Sequence, residues 1–300
     1  MGMNYDYYRV FLSVGKHHSF TRAAEELYTS QPAVTRTIKN LETELGVKLF
    51  VRSKKGVEFT LEGERLYEGA SAAFALLNKT EEELSASLSL QAGSVALGAT
   101  ITALDEFLFD FLESFRKDYP GIKIRISTHS SDQTIAKLRQ GKIDIAFVTT
   151  PYRYSEDLIA FTISSFENIV IAGHGYPELR KGKHDIASLS KYPLVYLSSA
   201  MQLREYCDDI FRAHGVSVTP SIELDSASTI APMVAKNFGI GIVPKSLVRD
   251  ALEKGEVFEV QTIEPLPLRE VVMLKSASYP ETAPAKAFFL SAKEHSKNHR

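Results

Sequence analysis

The stretch Ser19 to Glu42, SFTRAAEELYTSQPAVTRTIKNLE, constrains the fold of this chain more than any other. Ala23, Ala24 and Leu27 fall on one face at helical spacing, and the paired alanines are small enough to let a second helix cross closely. Tyr28-Thr29-Ser30 interrupts the pattern. Ser30 is a good N-cap, because its hydroxyl can accept an otherwise unpaired amide hydrogen, and Pro32 falls in the first turn, where a missing N–H costs nothing. Behind it Val34, Ile38, Leu41 and Leu45 recur at 4, 3 and 4 residues and predict a buried stripe. The opposite face carries Gln31, Pro32, Thr35, Arg36 and Lys39. Such a helix suits the DNA major groove, with its N-terminal residues at base edges and its basic residues at phosphates. Amphipathic helix pairs also occur throughout α-rich proteins, so the pattern alone leaves a plain packing role open. Tyr5 to His17 reads as a preceding helix, with Tyr8, Phe11, Leu12 and Val14 inward.

The residues beyond this helix favour DNA. Between Gly46 and Thr60, two short apolar runs flank a Lys54-Lys55-Gly56 tip with Arg52 close by, a hairpin signal. A basic hairpin beside a recognition helix is a wing, placed to touch the backbone or minor groove. The pieces SFTRAA, SQPAVT, LETELGVKLF and FTLEG resemble the winged helix-turn-helix of LysR-type transcriptional regulators. The likeness is dense through Gly63, and the length and later pattern of the chain agree with it.

Three hundred residues suggest two or three compact units, and 44% hydrophobic with 24% charged content suffices for sizeable cores. The net charge of −2 divides unevenly: residues 1–60 hold nine Lys/Arg against six Asp/Glu, +3, which leaves −5 for the rest. Only the first portion has the sign that DNA requires. No apolar run approaches the roughly 18–20 residues of a membrane span. The N-terminal residues show no basic segment followed by an apolar core, and Asp6 stands where a myristoylation motif needs a hydroxyl, so a cytoplasmic protein is expected. Cys207 is the one cysteine, which excludes an intramolecular disulfide and reads as a structural thiol. The eight histidines fall at no metal-ligand spacing, and no zinc, haem or phosphate-loop pattern occurs, so no metal and no cofactor are expected.

Thr60 can cap a long helix whose first turn carries Glu62 and Glu64 against the positive dipole end. Leu66, Ala70, Ala73, Leu77, Thr80 and Leu84 then recur at 4, 3, 4, 3 and 4 residues, the period of a coiled-coil seam. A helix from Thr60 to about Ser87 would run roughly 40 Å. A small head cannot cover a stripe of that length. It predicts either a homodimer seam or packing against the helix's own C-terminal domain; the resemblance favours the dimer and implies dimers or tetramers. Ser85 to Gly93 reads as a hinge.

Beyond the hinge the pattern becomes strand, helix, strand. Strands are expected at 94–99, 122–126 and 143–148, with helices at 102–117 and 132–140 between them. A second alternating unit has strands near 168–172, 194–197, 222–224 and 239–243, with helices at 202–214 and 228–237. A last strand, 269–275, and a helix, 283–293, return to the first unit. The alternation of the first unit predicts a mainly parallel sheet. The expected fold class is α/β overall: an N-terminal all-α winged helix-turn-helix plus a long linker helix, then a two-lobed α/β body. The resemblance implies that this body is a periplasmic-binding-protein-like effector domain. The expected boundaries are 1–60 for the DNA-binding domain, 61–92 for the dimerisation helix and hinge, and 93–300 for the effector domain. Lobe I takes 93–162 and 266–300, lobe II 163–265.

In parallel α/β units ligands bind beyond the carboxyl ends of strands, where helix N-termini converge. Four hydroxyl-rich junctions fit that place: 99–102, 128–131, 198–202 and 225–229. Each hydroxyl taken alone reads equally as a helix cap; four junctions together, with helix N-termini, suit a carboxylate. The resemblance places effector contacts there, on Thr100, Thr102, Thr128, Ser198, Met201, Asp225 and Thr229. No arginine occupies the four junctions, so no bidentate clamp is evident. Gly239 and Gly241 lack the third glycine of a dinucleotide fingerprint and read as close strand packing.

These features point to a ligand-responsive transcriptional regulator and not to an enzyme, since no nucleophile with an oriented base can be assembled. Base-edge contact falls to Gln31, Pro32, Thr35 and Arg36, and phosphate contact to Lys39, Arg52, Lys54 and Lys55. The implied partners are double-stranded DNA with dyad symmetry, a small-molecule effector, further copies of the chain and RNA polymerase, with no membrane. A cytoplasmic small-molecule-binding protein with a fused helical domain is the alternative.

Overall fold

The computed structural model describes residues 4–53, 56–86, 93–199 and 201–298. The chain divides into two compact units, Met1–Glu81 with Gln140–Lys142 and Glu82–Arg139 with Ile143–Arg300.

In the first unit, helices α1 (Tyr5–His17), α2 (Phe20–Glu26) and α3 (Gln31–Leu45) each begin at a side-chain cap. Asn4, Ser19 and Ser30 accept backbone N–H groups at 3.2, 3.3 and 3.4 Å. Phe11, Val14, Ala23, Ala24, Val34, Ile38 and Leu41 close one apolar core. Leu45, expected on the buried stripe, is 40% exposed. It lies in the last turn before Gly46 ends the helix in the left-handed region, beyond the crossing with α1 and α2. Strands β1 (Phe50–Ser53) and β2 (Gly56–Phe59) form an antiparallel hairpin, with Phe50 opposite Phe59. Their Lys54-Lys55 tip lies outside the described residues.

Helix α4 (Leu61–Ala86) follows at once. The Thr60 hydroxyl caps it, accepting the Gly63 N–H at 2.9 Å. A Cβ on Gly63 would stand 2.1 Å from the Leu49 carbonyl oxygen, so only glycine lets the helix start this close to the hairpin. Leu66 and Tyr67 pack onto the head's core, whereas Ala73 is exposed and Leu77 is 44% exposed. The Thr80 and Leu84 side chains and the hinge residues 87–92 lie outside the described residues.

The second unit holds two lobes. In the first, β3 (Gly93–Ala99) pairs in parallel with β4 (Ile122–Thr128) and β5 (Ile145–Thr149). Strand β12 (Arg269–Ser276) joins β5 and β6 (Leu158–Phe166) antiparallel, giving the order β4-β3-β5-β12-β6. Helices α5 (Ile101–Ala103) and α6 (Phe109–Asp118), joined by a π-turn at Leu104–Leu108, cover the sheet with α12 (Ala283–Asn298). Phe107, Phe111, Phe115, Phe147 and Phe288 fill that core. Helix α7 (Ser131–Arg139) covers the other side, its Ile135 and Leu138 packed against Ala146 and Val148.

In the second lobe, β7 (Asn168–Ala172) has antiparallel neighbours on both sides, β10 (Gly241–Pro244) and β11 (Phe258–Val260). Strands β8 (Val195–Leu197) and β9 (Ile222–Leu224) run parallel, and α8 (Ile186–Leu189), α9 (Gln202–Ala213), α10 (Ile230–Ala235) and α11 (Arg249–Glu253) complete the lobe. The expected parallel pairing holds for β3, β4 and β5, and the antiparallel β12 and β6 extend that sheet. Strands that cross between lobes, β6 out and β12 back, enter the first sheet without the covering helix a parallel connection needs. Strand β6 gives no alternation in its burial, which is why it is not legible as a strand. Gly239 and Gly241 are close-packed: a Cβ would meet the Pro193 carbonyl at 2.3 Å and Ile230 at 2.5 Å, respectively.

Candidate functional site

Helix α3 turns Gln31, Pro32, Arg36 and Lys39 to solvent, with Thr35 half-buried between them, over Val34, Ile38 and Leu41 at 1–3% exposure. Gln31 Nε2 donates to Thr35 Oγ1 at 3.1 Å, and that hydroxyl donates to the Gln31 carbonyl at 3.0 Å. The first turn of the polar face is thus held in one arrangement before any partner arrives. Arg52 stands in β1 opposite Val57. Its side chain, like Lys54 and Lys55, lies outside the described residues.

The second unit contains a cleft of about 690 Å³, well within the range of small-molecule sites. The four junctions meet in it: Thr100 and Thr102, Thr128 to Ser131, Ser198 and Met201, and Asp225 to Ser228 all line its walls. Thr229 does not. It is exposed, and its hydroxyl donates to the Ser226 carbonyl at 2.6 Å. Some of the hydroxyls are caps, as the simpler expectation held: Thr100 accepts the Ala103 N–H at 3.2 Å and Ser130 that of Gln133 at 3.3 Å. Thr102, Thr128 and Ser198 make no side-chain hydrogen bond among the described residues and remain available for a ligand.

Wall residues from elsewhere in the sequence include Thr149, Pro151 and Arg269. The absence of arginine from the junctions thus does not extend to the cleft. Arg269 opens β12, is 2% exposed, and donates from Nη2 to Thr149 Oγ1 at 2.9 Å and from Nε to the Thr150 carbonyl. Burial pulls its pKa down to about 10, so it still carries its charge at neutral pH. His129, in the same walls, is pulled below its ordinary value by burial and by Lys137, which favours the neutral ring. The sequence signal for Arg269 is faint: a cation at the head of an apolar strand reads as a solvated end.

Among the described residues no group of three or more His, Cys, Asp and Glu is placed to hold a metal ion, and no helix is long and apolar enough to cross a membrane. Cys207 is buried in the second lobe's core.

A winged helix-turn-helix with a preformed polar face, and a two-lobed body with a hydroxyl-lined cleft, define a regulator that reads DNA and carries a small-molecule pocket. Residues 5–64 match the bacterial regulatory helix-turn-helix protein, lysR family, and residues 89–297 match the LysR substrate binding domain. The chain belongs to the LysR family of transcriptional regulators. It is 31% identical to the regulator BudR of Raoultella terrigena, over 82% of this chain and 86% of that one. It is 28% identical to the regulator CfxR of Cupriavidus necator, over 83% and 78%. The fold resembles that of CbnR, a LysR family transcriptional regulator, with a TM-score of 0.72 at 17% identity over 98% of this chain and 99% of that one. The structure of full-length CbnR complexed with its target DNA is equally similar, with a TM-score of 0.72 at 18% identity over 98% and 100%.

Proposed function

We propose that this regulator binds operator DNA as a homodimer or homotetramer through residues 1–60, and that a small metabolite in the cleft of residues 93–300 controls it. Gln31, Pro32, Thr35 and Arg36 read base edges; Lys39, Arg52, Lys54 and Lys55 hold phosphates. Residues 61–92 pair two chains and set the spacing of two recognition helices, matching an operator with dyad symmetry. Thr100, Thr102, Thr128, Ser198, Met201 and Asp225 contact the effector. Ligand binding favours one arrangement of the lobes and so one separation of the heads, a population shift with no chemistry done on the ligand. The protein works in the cytoplasm, where RNA polymerase is its downstream partner.

The observation that carries this reading is the exposed row on α3 above a buried stripe, with Gln31 and Thr35 already hydrogen-bonded to one another. Footprinting on the DNA flanking the coding region tests it. Two protected half-sites about 10 base pairs or a multiple apart are expected, and removal of residues 1–90 should abolish them. Absence of any protected site would refute it. For the cleft, Ser198→Trp should leave DNA binding intact and remove the response to the effector.

A further inference from the structure

Arg269 is a buried cation for which the chain provides no anionic partner among the described residues. Its Nη1 is enclosed and finds no acceptor. The guanidinium lies over the rings of Phe166 and Tyr206, at 5.1 and 5.2 Å, and neither ring neutralises it. A buried charge left unpaired is strongly unfavourable, and chains retain one where something else completes it. Arg269 lines the cleft, which supplies the place for that group.

We infer that Arg269 is the anchor for an oxyanion of the ligand in this cleft, with Nη1 donating to one oxygen. The inference rests on the reading that the cleft holds the effector, and adds the ligand's charge and its point of attachment. The contact is end-on. Nε and Nη2, the pair that would form a side-on fork, already meet Thr150 and Thr149, so the contact to the ligand falls on Nη1. Thr128 and Ser198 in the same walls offer hydroxyls to the remaining oxygens. His129 Nε2 is a second enclosed nitrogen without a partner in these walls.

The location gives the contact a consequence. Arg269 is the register partner of Phe166, the last residue of the strand by which the chain leaves the first lobe, and itself begins the returning strand. Tyr206, from the second lobe's α9, donates to the Pro267 carbonyl at 2.7 Å while its ring faces the guanidinium. An anion drawn to Nη1 therefore acts on both crossings between the lobes at once.

The test uses the full-length protein, Arg269→Gln and Arg269→Met. Each is titrated at constant ionic strength with acetate, succinate, sulfate and phosphate, and with the neutral acetamide and succinamide. Thermal unfolding finds probes that bind, because a ligand of the folded state raises Tm, and calorimetry measures their affinity. At least one oxyanion should bind the wild type about tenfold or more tightly than Arg269→Gln, with its amide not binding. A response to acetate or succinate alone identifies a carboxylate, and a response to sulfate or phosphate a tetrahedral oxyanion; either supports the assignment. If no oxyanion distinguishes wild type from Arg269→Gln, the assignment is overturned. Amides binding both proteins equally also overturn it, while leaving the cleft a ligand site. Should Arg269→Gln fail to fold by circular dichroism, the equally neutral Arg269→Met decides: unchanged oxyanion affinity overturns the assignment, and a loss supports it.

Discussion

Glu42, near the end of the recognition helix, accepts the backbone N–H of Leu49 at 2.9 Å through its Oε1. Its Oε2 pairs with Lys48 Nζ at 2.6 Å. Lys48 is 73% exposed and Glu42 only 8%, so the ion pair contributes little and the buried bond to Leu49 carries the connection. One carboxylate thus fixes where the hairpin departs from the helix that is expected to read DNA.

Glu42→Ala would leave the buried Leu49 N–H without an acceptor and should destabilise the N-terminal unit by about 1–3 kcal/mol. Glu42→Gln retains an acceptor and should cost less. Denaturant unfolding of the two variants checks the order; equal losses would mean that the charge, not the bond to Leu49, matters.

Arg36→Ala should cost about 1–3 kcal/mol on the specific operator and relax its selectivity. Arg52→Ala should instead weaken all sequences alike and lower the salt slope by about one. Titration against operator and random duplex at several salt concentrations separates the two roles.

Leu77 and Ala73 lie exposed on the α4 seam, where a second copy of the helix is expected. Leu77→Glu should weaken self-association about tenfold or more and lower operator affinity with it. Sedimentation across a concentration series is the measurement. An unchanged association constant would place the dimer contact elsewhere.

Glu26 ties α2 to α1, and hydrogen bonds from Lys16 and then Ser13 hold its carboxyl at about 2, against an ordinary value of 4.5. Its folded value lies below its unfolded one. The contribution is therefore complete above about pH 4.5 and is lost as pH falls toward 2. Because Lys16 is 60% exposed, solvent screens the pair and the effect is small. In Glu26→Gln the melting temperature should fall less steeply between those pH values than in wild type.

Much of the N-terminal unit was legible in the residues. Ser30, Pro32 and the 4-3-4 spacing from Val34 are local signals, and they mark where α3 begins and which face it buries. The stripe failed only at Leu45, where the neighbouring helices run out and periodicity has nothing to pack against. The α/β alternation was equally readable, because a strand buried on both faces, such as Ile145–Thr149, is a continuous apolar run. Strand β6 was not, since its burial follows from its place at the sheet edge and at the lobe crossing.

The sequence by itself determined the helix-turn-helix, the long amphipathic helix and the hydroxyl-rich junctions, because each rests on side chains within one or two turns of one another. Only the tertiary structure decided which junction residues share a cleft, setting Thr229 outside it. It also brought Arg269 against Thr149, a residue 120 positions away, and buried its charge. Distance along the chain carries no information about that contact: burial of a charge depends on every element packed around it, and no local pattern encodes it.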